Sequence, residues 1–454
     1  MARHTAGGIH LERRLLLQRA GLAAAAAALP LHAGRTWAAP PGSSVDTRLL
    51  VVFLRGAYDA CSVLVPLDSP FYREARPRIA IAAPGSVPPA ATAMAMAMAA
   101  TSASSPTSAA AVVPPPIPAL PFTAAWGLAP AWRDTLWPLA QAGQLAAVPF
   151  AGLHDLSRSH FETQDRLEAG LPSAADPPSG LPAASVAAQA TSGFLNRLAQ
   201  VLGVRLDSDT PVMSFTERLP LVLQGARIVP NLALANLGTG GPDERQVALL
   251  RRLYAGSPLE ARVREGLDVR AEMRREMATE PEMAARDAVP ARGFELEATR
   301  IARVMREQVR IGFVDVGGWD THVGQGGATG LLAGRLGELG RGLAAFQAGM
   351  GTDWARTVVV VVSEFGRTFR ENGNGGTDHG HGTVYWVMGG AVAGGVHGEQ
   401  MALTPATLNE GRDWPVLNEA RGVLGGLFGR LYGLDAAALQ AVFPGARPQD
   451  LRLV

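Results

Sequence analysis

The sequence predicts an α/β protein, a three-layer α/β/α sandwich around a largely parallel sheet, with a helical elaboration in the middle of the chain. Short, nearly continuous runs of β-branched and aliphatic residues alternate with longer segments of helical periodicity. Such runs are typical of strands buried on both faces of a parallel sheet, and their alternation with helices indicates βαβ units. Hydrophobic residues make up 47% of the 454 positions, which is enough for one sizeable core.

Four strands are predicted from the runs RLLVVFL, QLAAVPFAG, RIGFVDV and RTVVVVV, which occupy residues 48–54, 144–152, 310–316 and 356–362. Helices are predicted between them from RDTLWPLAQAG, from VALLRRLYAGSPLEARVREGLDVRAEMRREM, from EATRIARVMREQV and from LLAGRLGELGRGLAAFQAGMG. A closing pair of helices is predicted from EARGVLGGLFGRLYGL and DAAALQAVF. Together these elements predict a single domain over residues 45–454.

Two segments interrupt this alternation. Residues 82–118 contain no charged side chain and consist largely of Ala, Pro, Ser and Met, so we expect a disordered surface insertion. Residues 171–193, LPSAADPPSGLPAASVAAQATSG, are predicted to form a loop.

The first 38 residues have the order of a signal peptide. Arg13 and Arg14 precede Leu15 and Leu16, an alanine-rich apolar stretch and a small-residue region that ends near Ala38. Paired arginines followed by leucines favour the twin-arginine route, and the apolar run is too short for a convincing membrane span. We therefore expect the twin-arginine export machinery as a partner and a periplasmic or secreted mature protein. An N-terminal anchor helix is the alternative.

Charge and cysteine content exclude several classes of protein. The 41 basic residues, all of them arginine, balance 40 acidic ones, and no basic run or basic–aromatic patch is present, so no nucleic-acid partner is expected. Cys61 is the only cysteine, which excludes an intramolecular disulfide and a cysteine-rich metal site. A redox enzyme is disfavoured because the sequence has no dinucleotide fingerprint or haem motif.

Acidic residues and histidines follow each of the four predicted strands. The first strand leads into RGAYDACS, the second into LHDLSRSHFETQD, the third into GGWDTHVGQ, and the fourth into SEFGRTFR and the glycine-rich GTDHGHG. Five of the six histidines beyond the signal segment lie in these stretches. Because the carboxyl ends of parallel strands meet at one edge of an open α/β sheet, we expect these side chains to form one site there.

Carboxylates and imidazoles without thiolates predict one or two divalent metal ions, of which Zn²⁺, Mn²⁺ and Mg²⁺ are the candidates. His160 and Asp165 are expected behind the ligands or against the substrate. The candidate ligands are Asp59, Asp320, His322, Glu364, Asp378, His379 and His381. Other interpretations stay open at this stage. The same groups could form a hydrogen-bond network without metal, Asp59 could cap a helix, and Glu364 could pair with Arg367.

RSHFETQD, GGWDTH, SEFGRT and GTDHGHG, in this order behind the arginine-containing signal, resemble the bacterial family named domain of unknown function 1501. LVVFLRGAYDA resembles that family's first strand and loop, and the resemblance extends from about Arg48 to near the C-terminus, apart from the insertion at 82–118. The family is grouped with the alkaline phosphatase-like superfamily, which includes phosphatases, sulfatases and phosphomutases. This resemblance implies an α/β/α sandwich with one or two metals at the strand ends.

The resemblance also implies roles for individual residues. The superfamily's nucleophile follows its first acid, where this chain has Cys61 and Ser62, and neither lies in the sulfatase pattern C-x-P-S-R. Ser62 is the candidate nucleophile, and Arg367 is the candidate anion clamp because its planar fork matches a tetrahedral oxyanion. The implied metal-site positions are the first-strand acid Asp59, the mid-chain pair Asp320 and His322, the acid Glu364, and either His379 or His381.

The function expected from the sequence is that of an exported metal-dependent hydrolase acting on a phosphate or sulfate ester, either a small molecule or a polysaccharide. The alternative is a non-catalytic periplasmic protein that binds a metal or a polysaccharide on the same fold. The two hypotheses differ at the nucleophile, because only the first requires an attacking group.

Overall fold

The structure is a computed structural model, and it describes residues 47–85, 117–172, 176, 191–206, 211–233, 244–257, 260, 263–264, 267 and 293–454. The predicted signal segment and most of the 82–118 and 171–193 segments lie outside the described residues. The two ends of the 82–118 segment are joined, because Ala119 N donates to Ala82 O at 2.9 Å and Ala82 bridges to Pro118. The residues that flank the segment on its two sides are therefore neighbours in the domain.

Eleven strands are present in the described part of the chain. They are β1 (Arg48–Arg55), β2 (Leu64–Pro66), β3 (Leu120–Pro121), β4 (Trp126–Leu128), β5 (Leu145–Gly152), β6 (Val212–Ser214), β7 (Ile311–Gly317), β8 (Thr357–Val362), β9 (Thr383–Gly389), β10 (Gly395–Val396) and β11 (Asn418–Glu419). Eight of them form a central sheet in the order β10-β5-β9-β8-β1-β7-β6, with β11 paired to β5, and β2, β4 and β3 form a small antiparallel sheet.

Ten α-helices are present in the same residues: α1 (Ala60–Val63), α2 (Pro70–Ala75), α3 (Leu136–Gln141), α4 (His160–Ala169), α5 (Phe194–Leu206), α6 (Glu244–Tyr254), α7 (Phe294–Glu307), α8 (Leu331–Met350), α9 (Ala420–Tyr432) and α10 (Ala436–Val442). Every helix predicted above has a counterpart among them. The long helical pattern after residue 246 is continuous in α6 as far as Tyr254, and residues 260, 263–264 and 267 are helical as well. Within the described residues, none of the helices has the length and apolar character needed to cross a bilayer.

The predicted mixed α/β architecture with a mostly parallel sheet is confirmed. The four predicted strands are β1, β5, β7 and β8. β1 pairs in parallel with both β7 and β8, and β9 runs antiparallel to both β8 and β5. The four predicted strands therefore point the same way, and their carboxyl ends share one edge of the sheet. β9 was not predicted, although TVYWVMG has the β-branched and aromatic composition of a buried strand.

The apolar strand runs are explained by burial on both faces of the sheet. Leu50 and Val52 of β1 pack in a cluster with residues of α7 and α8, whereas Leu49, Val51 and Phe53 pack in a second cluster with residues of α5, α9 and α10. Successive strand residues point to opposite faces, so each face has its own core. Burying one such side chain contributes about 1.5–3 kcal/mol, which favours these positions in the interior.

Cys61 of α1 provides a test of this packing. Its side chain is 2% exposed, and burial raises the pKa of its thiol to about 12 despite the nearby charge of Arg76. Because the reactive species is the thiolate, we expect iodoacetamide to leave Cys61 unlabelled in the native protein at about pH 8 and to label it in concentrated urea. Mass spectrometry measures the modified fraction. Complete labelling of the native protein within minutes would contradict the burial of this side chain.

Candidate metal centre

Three loops at the carboxyl edge of the sheet bring the candidate ligands together. The loop after β5 leads into α4, whose first residue is His160. The loop after β7 carries Asp320 and His322, and the loop between β8 and β9 carries His379. Because β5, β7 and β8 point the same way, residues that are more than 200 positions apart in the sequence meet at this edge.

Four ligand atoms converge: Asp320 Oδ1 and the Nε2 atoms of His160, His322 and His379, which we call the His–Asp cluster. His379 Nε2 lies 3.0 Å from His160 Nε2 and 3.1 Å from His322 Nε2. Asp320 Oδ1 lies 2.9 Å, 3.2 Å and 3.6 Å from the Nε2 atoms of His322, His379 and His160. The ligand atoms of His160, Asp320 and His379 all lie within 4.8 Å of one another.

The other ring nitrogen, Nδ1, of each clustered histidine faces a group that only accepts hydrogen bonds. In chain order the partners are the carboxylate of Glu364 at 2.7 Å, the carboxylate of Asp378 at 3.1 Å and the main-chain carbonyl of Arg158 at 3.1 Å. Each ring therefore carries a proton on Nδ1, and the neutral ring has a free lone pair on Nε2. Metal-binding histidines usually have such an acceptor on their far nitrogen.

The donor set fits a divalent transition metal. Acceptor atoms 2.9–3.6 Å apart repel one another unless a cation or a shared proton lies between them. Bond lengths of about 2.0–2.1 Å place two ligand atoms of a tetrahedral zinc ion about 3.3 Å apart, which is the middle of the observed range. Asp320 Oδ1 also accepts from Arg367 Nη1 at 2.5 Å, and a carboxylate oxygen has lone pairs for both interactions.

Glu364 lies behind the cluster and orients His160. Its side chain is fully buried, and Oε1 accepts from His160 Nδ1, from Gln164 Nε2 at 2.8 Å and from the main-chain N–H of Gly56 at 2.8 Å. Burial alone would raise the pKa of Glu364, but the hydrogen bonds from His160 and Gln164 outweigh it and lower the pKa. The ring of His160 also stacks on Phe365, with the ring centroids 4.9 Å apart.

The clustered groups have different protonation preferences. The hydrogen bond to Glu364 raises the pKa of His160 despite partial burial. Burial, followed by the nearby charge of His160, lowers the pKa of His379. Burial opposes ionisation of Asp320, but the hydrogen bond and charge of Arg367 outweigh it, so the pKa of Asp320 is lowered. In the absence of a metal ion, a proton shared between His160 and His379 would therefore reside mainly on His160.

Arg367, the predicted anion clamp, uses all three of its guanidinium nitrogens in hydrogen bonds to other residues of the protein. Its side chain is fully buried. Nε donates to Thr377 Oγ1 at 3.2 Å, Nη2 donates to the carbonyl of Thr377 at 2.6 Å, and Nη1 donates to Asp320 Oδ1. This guanidinium holds Asp320 in place.

Asp59 and Ser62, the predicted first ligand and nucleophile, lie outside the cluster in a buried network. Each is 1% exposed. Arg76 grips both oxygens of Asp59, at 2.5 Å and 2.9 Å, and Ser62 Oγ donates to Asp59 Oδ2 at 2.6 Å. Burial opposes ionisation of Asp59, but the charge and hydrogen bonds of Arg76 outweigh it and lower the pKa of Asp59.

The structure brings the remaining predicted residues to different places. Asp378 orients His322 as described, and its pKa is lowered chiefly by a hydrogen bond from Asn372. His381 is 6% exposed, and burial lowers its pKa to about 4. Asp165 is exposed on α4. His160 was predicted behind the ligands or against the substrate, and its Nε2 lies in the cluster.

Two glutamines at this site, Gln164 and Gln325, were not among the predicted site residues. Gln164 follows His160 by one helical turn, so the two side chains share a face of α4 and both reach Glu364. The spacing H-x-x-x-Q in RSHFETQD could have indicated this pairing. Gln325 lies three residues after His322 in the same loop and carries no sequence signal that separates it from an ordinary loop glutamine.

Fold and site define a mixed α/β protein with a candidate metal centre at the carboxyl edge of a mostly parallel sheet. A family model described as "Protein of unknown function (DUF1501)" matches residues 46–443, and the chain belongs to this family. No curated protein and no solved structure matches the chain.

The glycines of GTDHGHG allow close backbone contact, and this can be tested. A Cβ on Gly380 would lie 2.5 Å from the main-chain carbonyl of Arg367, and one on Gly376 would overlap the carbonyl of His322. Main-chain atoms cannot rotate away, so we expect Gly380→Ala to destabilise the protein by about 1–3 kcal/mol, measured as a lower melting temperature in calorimetry. Gly373→Ala is the control, because a Cβ there meets no atom within 4 Å. Equal melting temperatures for the two variants would contradict this explanation.

Proposed function

We propose that this protein is an exported metal-dependent hydrolase of a phosphate or sulfate ester, with the three-layer α/β/α sandwich of the alkaline phosphatase-like class. The observation that carries the proposal is the His–Asp cluster, in which three Nε2 atoms and one carboxylate oxygen converge. The far nitrogen of each imidazole is already occupied by an acceptor.

In this proposal His160, Asp320 and His379 hold the metal ion. His322 lies beside these three residues and either contacts them or serves as a fourth ligand. Imidazole-rich sets favour Zn²⁺ over Mg²⁺, with Mn²⁺ the second candidate. When bound, the metal supplies a Lewis acid for an ester oxygen and lowers the pKa of water. Asp320 and His322 are 43% and 39% exposed, so the cluster is open to a substrate. Glu364, Asp378 and the carbonyl of Arg158 keep the rings aligned without taking part in the reaction.

The burial of Ser62 supports water as the attacking group. Ser62 Oγ donates to Asp59, and Ser62 is 1% exposed, so a substrate would have to displace part of the interior around α1 to reach it. Attack by water needs no protein nucleophile, and the open side of the cluster gives water direct access.

Arg335, rather than Arg367, is the proposed contact for an anionic group of the substrate. It is half-buried on α8, and its Nη1 lies so close to Gly318 that a Cβ there would be 2.8 Å away. Gly318 is two residues before Asp320, so the guanidinium lies against the loop that carries Asp320. Within the described part of the chain Arg335 has no hydrogen-bond or ion-pair partner, so its donors are available to a phosphate or sulfate oxygen.

Export by the twin-arginine machinery and a periplasmic or secreted location are part of the same proposal. They are supported by Arg13 and Arg14, which precede an apolar, alanine-rich stretch. The twin-arginine route carries folded proteins, which suits a metal centre assembled from three distant loops.

A non-catalytic metal- or polysaccharide-binding protein is the second candidate function. The specific observation that favours it is again Ser62, because the position expected to supply the superfamily's nucleophile is buried and hydrogen-bonded to Asp59. Ester-cleaving activity of the metal-loaded protein distinguishes the two candidates.

Metal content is the first test. We expect the purified protein, dialysed against metal-free buffer after incubation with Zn²⁺, to retain at least one equivalent by plasma mass spectrometry. Asp320→Ala and His379→Ala each remove a ligand and should lower retention at least tenfold, in line with the size of ligand and supporting-residue effects at metal sites.

His397→Ala is the matched control for these variants. Among the described residues the side chain of His397 hydrogen-bonds only main-chain carbonyls, those of Leu451, Ala393 and Gly394, so this variant should retain the native amount of Zn²⁺. A native protein that retains no Zn²⁺ or Mn²⁺ would refute the metal site and the hydrolase proposal with it.

Arg335 provides a second test. Loss of a charge-assisted hydrogen bond costs about 1.5–3 kcal/mol, so Arg335→Gln should raise KM for an aryl phosphate or aryl sulfate about tenfold or more. Zn²⁺ retention should not change. The control is Arg341→Gln on the same helix, because Arg341 is 53% exposed and pairs with Glu295. Equal KM values for the two variants would exclude Arg335 from substrate binding.

A further inference from the structure

A buried glutamine joins the two loops that carry most of the His–Asp cluster. Gln325 is fully buried. Its Oε1 accepts from Thr321 Oγ1 at 2.9 Å and from Thr377 Oγ1 at 2.8 Å. Thr321 lies between Asp320 and His322 in the DTH motif, and Thr377 directly precedes the DH pair of the second motif. One amide oxygen therefore binds a hydroxyl from each ligand-bearing motif.

The other end of the same amide is fixed to the buried ion pair. Gln325 Nε2 donates to Asp59 Oδ2 at 2.7 Å and to Ser62 Oγ at 3.3 Å. An ionised carboxylate only accepts, so the NH₂ group must face Asp59 and the oxygen must face the two threonines. Arg76 holds Asp59 in turn, and this fixes the position of the amide as well as its orientation.

Thr377 extends this network to the cluster itself. Its hydroxyl donates to Gln325 and accepts from Arg367 Nε, and Arg367 Nη1 donates to Asp320 Oδ1. A continuous series of hydrogen bonds therefore runs from Asp59 to Asp320. These groups are fully or almost fully buried except for Asp320, and buried polar networks of this kind fix a single arrangement when every member is satisfied.

We propose that Gln325 is a positioning residue that sets the spacing between the DTH and TDH motifs and thereby the geometry of the metal centre. Asp59 and Ser62 serve as its anchor. The inference rests on the metal binding proposed above. It also identifies Thr321 and Thr377 as the contacts through which Gln325 acts. Either threonine can be substituted while every proposed metal ligand is kept.

The experiment is a Co²⁺ titration followed by visible absorption, because the d–d bands of Co²⁺ report coordination geometry. Thr377→Val removes the hydroxyl at nearly constant shape, and Gln325→Leu removes the amide. We expect each to weaken Co²⁺ binding at least tenfold and to change the band positions. The double variant should lose little more than either single variant, because both break the same connection. Thr377→Ser, which keeps the hydroxyl, should restore native binding and bands.

Thr357→Val is the structural control. Thr357 is fully buried at the start of β8, and its hydroxyl donates to the carbonyl of Asp353 at 2.8 Å, so its removal should lower the melting temperature without changing Co²⁺ affinity or bands. If the native protein binds Co²⁺ and Thr377→Val binds it with native affinity and bands, Gln325 is not a positioning residue, whether or not Gln325→Leu folds. A native protein that binds no Co²⁺ refutes the metal site itself and, with it, this inference.

Discussion

The orientation of three imidazole rings is the constraint on which the candidate metal centre depends. An imidazole offers a lone pair in a fixed direction only when its other nitrogen is held, and here two carboxylates and a main-chain carbonyl hold it. These acceptors would otherwise be costly. Glu364 is a fully buried carboxylate, and it is stabilised because His160, Gln164 and the backbone of Gly56 all donate to it. Hydrogen bonds within the site therefore stabilise Glu364, the same carboxylate that orients His160.

The common direction of the parallel strands is the second condition for forming the His–Asp cluster. The cluster needs residues from three distant parts of the chain at one place, and parallel strands deliver their following loops to a common edge. β9 runs in the opposite direction between β5 and β8, so the segment that enters it from the same edge can carry His379 immediately before the strand begins. The loop between β8 and β9 therefore carries His379 at this edge, and the loops after β5 and β7 carry the other ligands there.

The fold was largely predictable because its strands are simple apolar runs buried on both faces. The gathering of histidines and acids at one edge followed from the same reasoning, but their individual roles did not. Sequence position makes Glu364 and Asp320 look alike, since each follows a parallel strand, yet one is fully buried behind a ring and the other is 43% exposed beside three rings. Which nitrogen of a histidine faces which partner is a property of packing, and no local pattern encodes it.

Asp59 shows why a motif position does not determine a role. An acid after the first strand can bind a metal only if it faces the site without a stronger partner, and here Arg76 grips both of its oxygens within the interior. Breaking such a pair by removing one partner costs about 3–5 kcal/mol, so the pair would have to be dismantled before Asp59 could bind an ion. Its remaining interaction, with Gln325, connects it to the two ligand-bearing motifs. The acid therefore influences the centre through the spacing of these loops, and any chemistry at this edge of the sheet has to come from the exposed side of the His–Asp cluster.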